Sequence, residues 1–177
     1  IIVPVAVKSV DMTLPNFSSF PHFVDNLIAA FGHAATEKWI ARLPSLLADA
    51  ASRWDLELGP AVDGLSYNYV CSAKRLPSPA GGGAGGGVQD CILKIGIPDR
   101  ELTSEMECLH LWNNLPNCPS VHLLESDPSN GLLLLERLRP GETLATITDD
   151  DRATAIAADL MSRLWIPAPE RHNFISL

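Results

Sequence analysis

At Trp54-Asp55-Leu56-Glu57-Leu58 the hydrophobic period of the chain changes, from apolar residues every three to four positions upstream to strict alternation with acidic ones. A helix buries a stripe of period 3.6 and a half-buried strand one of period 2, so the switch separates a helical start from a sheet-forming middle. Upstream, Phe23, Leu27, Ile28 and Phe31 predict a helix ending at Gly32, and Trp39, Ile40, Leu43, Leu46, Leu47, Ala50 and Trp54 continue a second stripe. Pro44 interrupts that stripe and is predicted to break it, or to open a second short helix as its first-turn proline. Two helical pieces packed as a cap are expected.

Downstream, Gly59-Pro60 and Asp63-Gly64 read as turns, with a second strand over Tyr67 to Ala73 and a third over Val88 to Ile95. Between the last two lies Pro77 to Gly87, whose six glycines read as a flexible hairpin insertion. Pro98-Asp99 then introduces a helix, with Asp99 as cap and Leu102, Met106 and Leu109 along one side up to Trp112. Val121 to Glu125 and Leu132 to Arg137 flank the turn sequence Asp127-Pro128-Ser129-Asn130-Gly131, which predicts a second hairpin. Past Pro140-Gly141, the aspartates 149 to 151 precede an Ala-rich helix with Ile156, Leu160 and Leu164 at helical spacing, ended by Pro167 and Pro169. The expected class is α+β: a five-stranded antiparallel sheet with one inserted helix, behind an N-terminal helical cap.

Composition narrows the partners. With 46% hydrophobic and 19% charged residues the chain reads as an ordinary soluble globular protein with a conventional core. A formal net charge of -8, with only 13 Lys plus Arg and no basic run, argues against nucleic acid. No apolar stretch approaches the roughly 20 residues that cross a bilayer, and the Ile1-Ile2-Val3-Pro4 start lacks the features of a secretory signal. Cys71, Cys91, Cys108 and Cys118 form no CxxC pair and read as reduced thiols of a cytoplasmic protein. The missing Met suggests a trimmed or partial sequence.

Within Cys91-Ile92-Leu93-Lys94-Ile95, alternation points one cation, Lys94, out of an otherwise apolar strand. Glu105 on the following helix, or Glu101 one turn earlier, is its candidate partner. The glycine run is not a phosphate loop, because no Gly-Lys-Ser/Thr follows it. Cys108, His110, Cys118 and His122 match no zinc-finger spacing, and His22, His33 and His172 have no partner signature.

Three strands, a helix and two strands is also the order of the smaller lobe of the protein-kinase fold. More specific phrases are Arg53-Trp54 with Leu58-Gly59-Pro60; Ile92-Leu93-Lys94-Ile95 with Pro98; Glu105 with Leu109 and Trp112; Val121-His122-Leu123-Leu124-Glu125 with Asp127; and Gly131-Leu132-Leu133-Leu134-Leu135-Glu136-Arg137-Leu138 with Pro140-Gly141. In their order and spacing, from about Phe31 to the C-terminus, the chain resembles the aminoglycoside/hydroxyurea antibiotic resistance kinases, the streptomycin kinase-like phosphotransferases.

The resemblance implies ATP and Mg2+ as cofactors and a small polar hydroxylated acceptor, such as an aminoglycoside. It implies Lys94 for the α and β phosphates, Glu105 for the ion pair that holds Lys94, and the turn Gly64 to Asn68 as a cover for the phosphates, with Ser66 or Asn68 as donors. Val70 and Ile92 would line the base pocket, and the backbone of Glu136, Arg137 and Leu138 would be the hinge for adenine. The corresponding domains are a helical extension over 1–53, an ATP-binding small lobe over 54–138 with its insertion at 77–87, and a hinge with the first part of a helical large lobe over 139–177. The family's His-Gly-Asp loop, downstream Asn and metal-binding Asp have no counterpart here, so no catalytic residue or metal ligand is assigned. The expectation is an N-terminal fragment that is catalytically silent alone, with a non-catalytic, pseudokinase-like binding module as the alternative.

Overall fold

The structure, a computed structural model, describes residues 20–77, 87–170, 172 and 174. Within these residues the chain forms four α-helices and one five-stranded antiparallel sheet. Two helices, α1 (Pro21–Phe31) and α2 (His33–Arg53), precede strands β1 (Leu56–Ala61), β2 (Tyr69–Arg75) and β3 (Gln89–Ile95). Helix α3 (Arg100–Asn113) follows, then β4 (Leu123–Asp127), β5 (Leu132–Glu136), a single 3-10 turn at Leu144–Thr146, and α4 (Asp150–Leu164). The spatial order is β1-β2-β3-β5-β4, so the chain leaves β3 through α3 and returns as the β4–β5 hairpin, whose second strand pairs with β3. Residues 1–19 of the expected extension, and 78–86 of the expected insertion, lie outside the described residues.

Alternation sorts the sheet into two faces. Tyr69, Cys71, Ala73, Cys91, Leu93, Ile95, Leu132 and Leu134 pack with Phe23, Leu27, Trp39, Leu43, Leu47 and Ala50 of the two N-terminal helices. On the opposite face Leu133 joins Leu102, Met106 and Leu109 of α3, with Leu123. The run Leu132 to Leu135 is therefore apolar throughout because β5 is covered on both sides. Burial pushes the Cys71 thiol up to about 12, which keeps it protonated and unreactive at neutral pH. All four cysteines are free.

Three local expectations are corrected. The second stripe is not broken at Pro44: α2 runs through it, and the break between helices falls at Gly32, whose φ of 81° is left-handed. Leu43, Leu46, Leu47 and Ala50 are all buried beside the proline, and burial of that continuous stripe outweighs the lost hydrogen bond and the cost of about 3 kcal/mol that proline brings to a helix interior. Gly59-Pro60 is not a turn but lies inside β1, where the register shifts between Leu58 and Ala61. An edge strand tolerates a residue without an N–H, and the glycine leaves room for Ser72 on β2. Tyr67 lies outside the second strand, which begins at Tyr69 and leaves Tyr67 half-exposed in the preceding loop. Among the described residues no helix is long and apolar enough to cross a membrane.

Candidate functional site

Strand β3 has Cys91, Leu93 and Ile95 buried in the core and Asp90, Ile92 and Lys94 on the other face. Lys94 stands in register between Val70 of β2 and Leu133 of β5. Its ammonium donates to both carboxylate oxygens of Glu105, at 2.7 Å and 2.6 Å. The side chains are 19% and 35% exposed, sheltered enough to hold a geometry yet open to a ligand. Glu101 lines the same cavity but points to solvent, so Glu105 is the partner.

The cavity around the pair has a volume of about 590 Å³ and is walled by Phe31 of α1, Tyr67 and Asn68 of the β1–β2 loop, and Asp99 ahead of α3. A space of this size suits a nucleotide-sized ligand. A larger cavity of about 720 Å³, against Met106, His110 and Leu111 of α3, contains none of the site residues expected from sequence. Among the described residues no group of three or more His, Cys, Asp or Glu is arranged to hold a metal ion.

The remaining expected site residues are distributed unevenly. Asn68 joins Lys94 and Glu105 in the cavity, whereas Ser66 does not, and the Ser66 carbonyl accepts instead from Asn26 Nδ2 at 3.4 Å. Val70 and Ile92 share the sheet face of Lys94 but do not line this cavity. At the far end of that face, the Glu136 amide donates to the His122 carbonyl at 3.0 Å, and the Arg137 amide to the Asp90 carbonyl at 3.3 Å. Of the three expected hinge amides, that of Leu138 is the one that bonds to no described residue, and its side chain is exposed. A hydrogen bond from Arg139 holds the Asp90 carboxyl below its usual range beside this end.

The end of β3 is pinned by hydrogen bonds that periodicity does not reveal. Trp39 Nε1 donates to the Gly96 carbonyl at 3.2 Å, and the Gly96 amide to the Gly131 carbonyl at 3.0 Å. A methyl on Gly96 would meet Asn68 Oδ1 and press on Leu102, whereas one on Gly131 would meet the backbone of Gly96 at a φ of 69°. Gly96→Ala should therefore turn the flexible Asn68 side chain out of the cavity at a cost of about 1 kcal/mol. Gly131→Ala should cost about 3 kcal/mol, because backbone and left-handed φ cannot yield. Urea unfolding of the two variants checks the order, and equal costs would contradict the packing described.

A sequence model of the family described as aminoglycoside/hydroxyurea antibiotic resistance kinase matches residues 85–176. The chain is 36% identical over 141 residues to streptomycin 6-kinase of Streptomyces glaucescens, an alignment that covers 79% of this chain and 41% of the relative. It is 31% identical over 152 residues to streptomycin 6-kinase of Streptomyces griseus, covering 84% and 45%. To hydroxyurea phosphotransferase of Kitasatospora aureofaciens it is 34% identical over 144 residues, covering 79% and 38%. The chain thus spans about two fifths of the length of the curated relatives it matches. No solved structure matches it.

Proposed function

The chain belongs to the aminoglycoside/hydroxyurea antibiotic resistance kinase family, and from that premise we propose that it is the ATP-binding part of a phosphotransferase acting on a hydroxyl of a small polar molecule. The observation that carries this reading is the Lys94–Glu105 ion pair at 2.6 Å, facing a nucleotide-sized cavity between β3 and α3. Phosphoryl transfer is catalysed mainly by alignment and charge neutralisation, and a cation held in place by a carboxylate meets that need.

On this reading the sheet and α3 form a protein-kinase-like small lobe over 54–138, behind a helical extension over 1–53, with 139–177 leading into a large lobe. ATP, bound with Mg2+, supplies the phosphoryl group that is transferred. Lys94 donates to the α and β phosphates, Glu105 keeps its ammonium from swinging into solvent, and the Asn68 amide group donates from the loop above. Val70 and Ile92 give an apolar surface for the base, and the Leu138 amide is the hinge donor left free for it. Ser66, turned out of the cavity, drops from the donor set. Lys94 and Asn68 are the donors that would meet a triphosphate, Asp99, Glu101 and Glu105 line the same cavity, and no magnesium carboxylate or positioning aspartate is assigned to this chain. The chain alone transfers no phosphate. Streptomycin and hydroxyurea, named for the relatives, are the acceptors to try first.

Titrating the isotope-labelled chain with ATP and following amide and side-chain NMR shifts tests the nucleotide part. Shifts concentrated at Lys94, Asn68 and Leu138 are expected. Their absence at about 10 mM ATP, where a binding free energy of about -3 kcal/mol still registers, would sink the reading.

A further inference from the structure

Helix α3 carries Glu105, and its buried face packs through apolar contacts, Leu102, Met106 and Leu109 against Leu123 and Leu133. Such contacts hold two surfaces together without fixing how far one has slid along the other, because hydrophobic attraction is non-directional. Directional bonds are present at both ends of the helix. At the start, Asp99 Oδ1 accepts from the Leu102 amide at 2.7 Å, and the Asp99 carbonyl accepts from the Thr103 hydroxyl at 2.7 Å. At the finish, Asn113 Nδ2 donates to the Leu123 carbonyl at 2.7 Å while the Leu123 amide donates to Asn113 Oδ1 at 3.1 Å.

This second pair of bonds is unusual in form. Strand β4 lies at the edge of the sheet, so Leu123 would otherwise present an unpaired amide and carbonyl there. The Asn113 side chain bonds to both, as the facing peptide of a further antiparallel strand would. Glu105 sits about 12 Å back along the helix axis from this lock. Both of its oxygens lie within 2.7 Å of Lys94 Nζ, so sliding α3 by one residue rise, about 1.5 Å, would lengthen and misalign these bonds and loosen the guard on the ammonium.

We propose that Asn113 is a positioning residue: its paired hydrogen bonds to Leu123 set the axial position of α3 and so keep Glu105 on Lys94. The functional meaning rests on Lys94 and Glu105 serving the nucleotide, but the geometric claim can be read without one. The neighbouring Trp112 donates from Nε1 to the Leu164 carbonyl at 3.2 Å, so the same end of α3 is also tied to α4.

The test uses the whole chain treated with an amine-acylating ester, with the rate at each lysine followed by mass spectrometry. Lys38 and Lys74, both exposed, serve as internal standards for the guarded Lys94. In Asn113→Ala the rate at Lys94 should rise about fivefold while the standards stay constant. In a Glu105→Ala background, where the pair is already lost, the same substitution should add nothing. An unchanged Lys94 rate in folded Asn113→Ala overturns the proposal, as does a further rise in the Glu105→Ala background. Should the alanine variant not fold, Asn113→Asp keeps an acceptor for the Leu123 amide, replaces the donor by a charged oxygen that repels the Leu123 carbonyl, and is read in the same way. Failure of the nucleotide reading would appear separately, as missing ATP-induced shifts in a chain whose labelling pattern follows the proposal.

Discussion

Lys94→Ala should weaken ATP binding by tenfold to a hundredfold and leave the melting temperature almost where it was. The affinity loss follows from the strength of charge-assisted hydrogen bonds to phosphate, about 1.5–3 kcal/mol when the cation is removed. The small stability change follows from exposure: with Glu105 35% exposed, solvent screens the pair and leaves it worth under about 1 kcal/mol to the fold. Glu105→Ala should cost less affinity, about threefold to tenfold, because the ammonium remains and loses only its tether. Lys94→Arg should not restore binding, since a planar five-donor fork cannot take the place of a compact ammonium between Val70 and Leu133. NMR titration and thermal unfolding of the same three proteins decide the matter. A melting temperature that falls in step with affinity would make Lys94 a structural residue.

Lys94 was legible because it interrupts an apolar alternating strand, a pattern that needs no long-range information. Its partner was not legible to the same degree: Glu101 and Glu105 are one turn apart, and only the seating of Leu102, Met106 and Leu109 against Leu133 turns Glu105 toward the strand. The five strands and the inserted helix followed from turn residues and period changes, whereas the pairing of β3 with β5 joins segments far apart in sequence and carries no local signal. Pro44 and Gly59-Pro60 misled for a shared reason, since local backbone rules predict a break and the surroundings absorb it, a buried stripe in one case and a free sheet edge in the other. The locks at Trp39 and Asn113 join side chains to distant backbone groups, and no spacing along the chain encodes such a bond. Leu111 to Asn114 reads only as the end of a helix.

Asp127 was read from sequence as a turn residue, and its larger part is to fasten the N-terminal helices to the second hairpin. Its carboxylate accepts from Asn130 Nδ2 at 2.9 Å, from the Asn130 amide at 3.2 Å, from the Ser129 hydroxyl and from Arg53 Nη1 at 2.8 Å. Arg53, at the end of α2, lies over the Trp54 ring at 5.0 Å, and Arg42 of the same helix donates to Asn130 Oδ1 at 3.2 Å. Burial alone would raise the Asp127 pKa, but the hydrogen bonds from Asn130, Ser129 and Arg53 outweigh it and hold the carboxyl well below the usual carboxylate range. Asp127→Ala should therefore destabilise the chain by about 3 kcal/mol at pH 7, from the lost hydrogen bonds of a buried carboxylate, with little from Arg53, whose 47% exposed side chain is screened by solvent. For a chain of this size that lowers the melting temperature by about 8 °C. Because folding lowers this pKa, the unfolded chain binds the proton more tightly, and the stabilisation is complete above about pH 4 and fades as pH falls toward the folded value. Asp127→Asn isolates the charge: its deficit against the parent protein in urea should be about 2 kcal/mol at pH 7 and should shrink steadily below pH 4. A deficit that stays constant down to pH 2.5 would mean that the shape of the turn, not the carboxylate, holds the helices to the sheet.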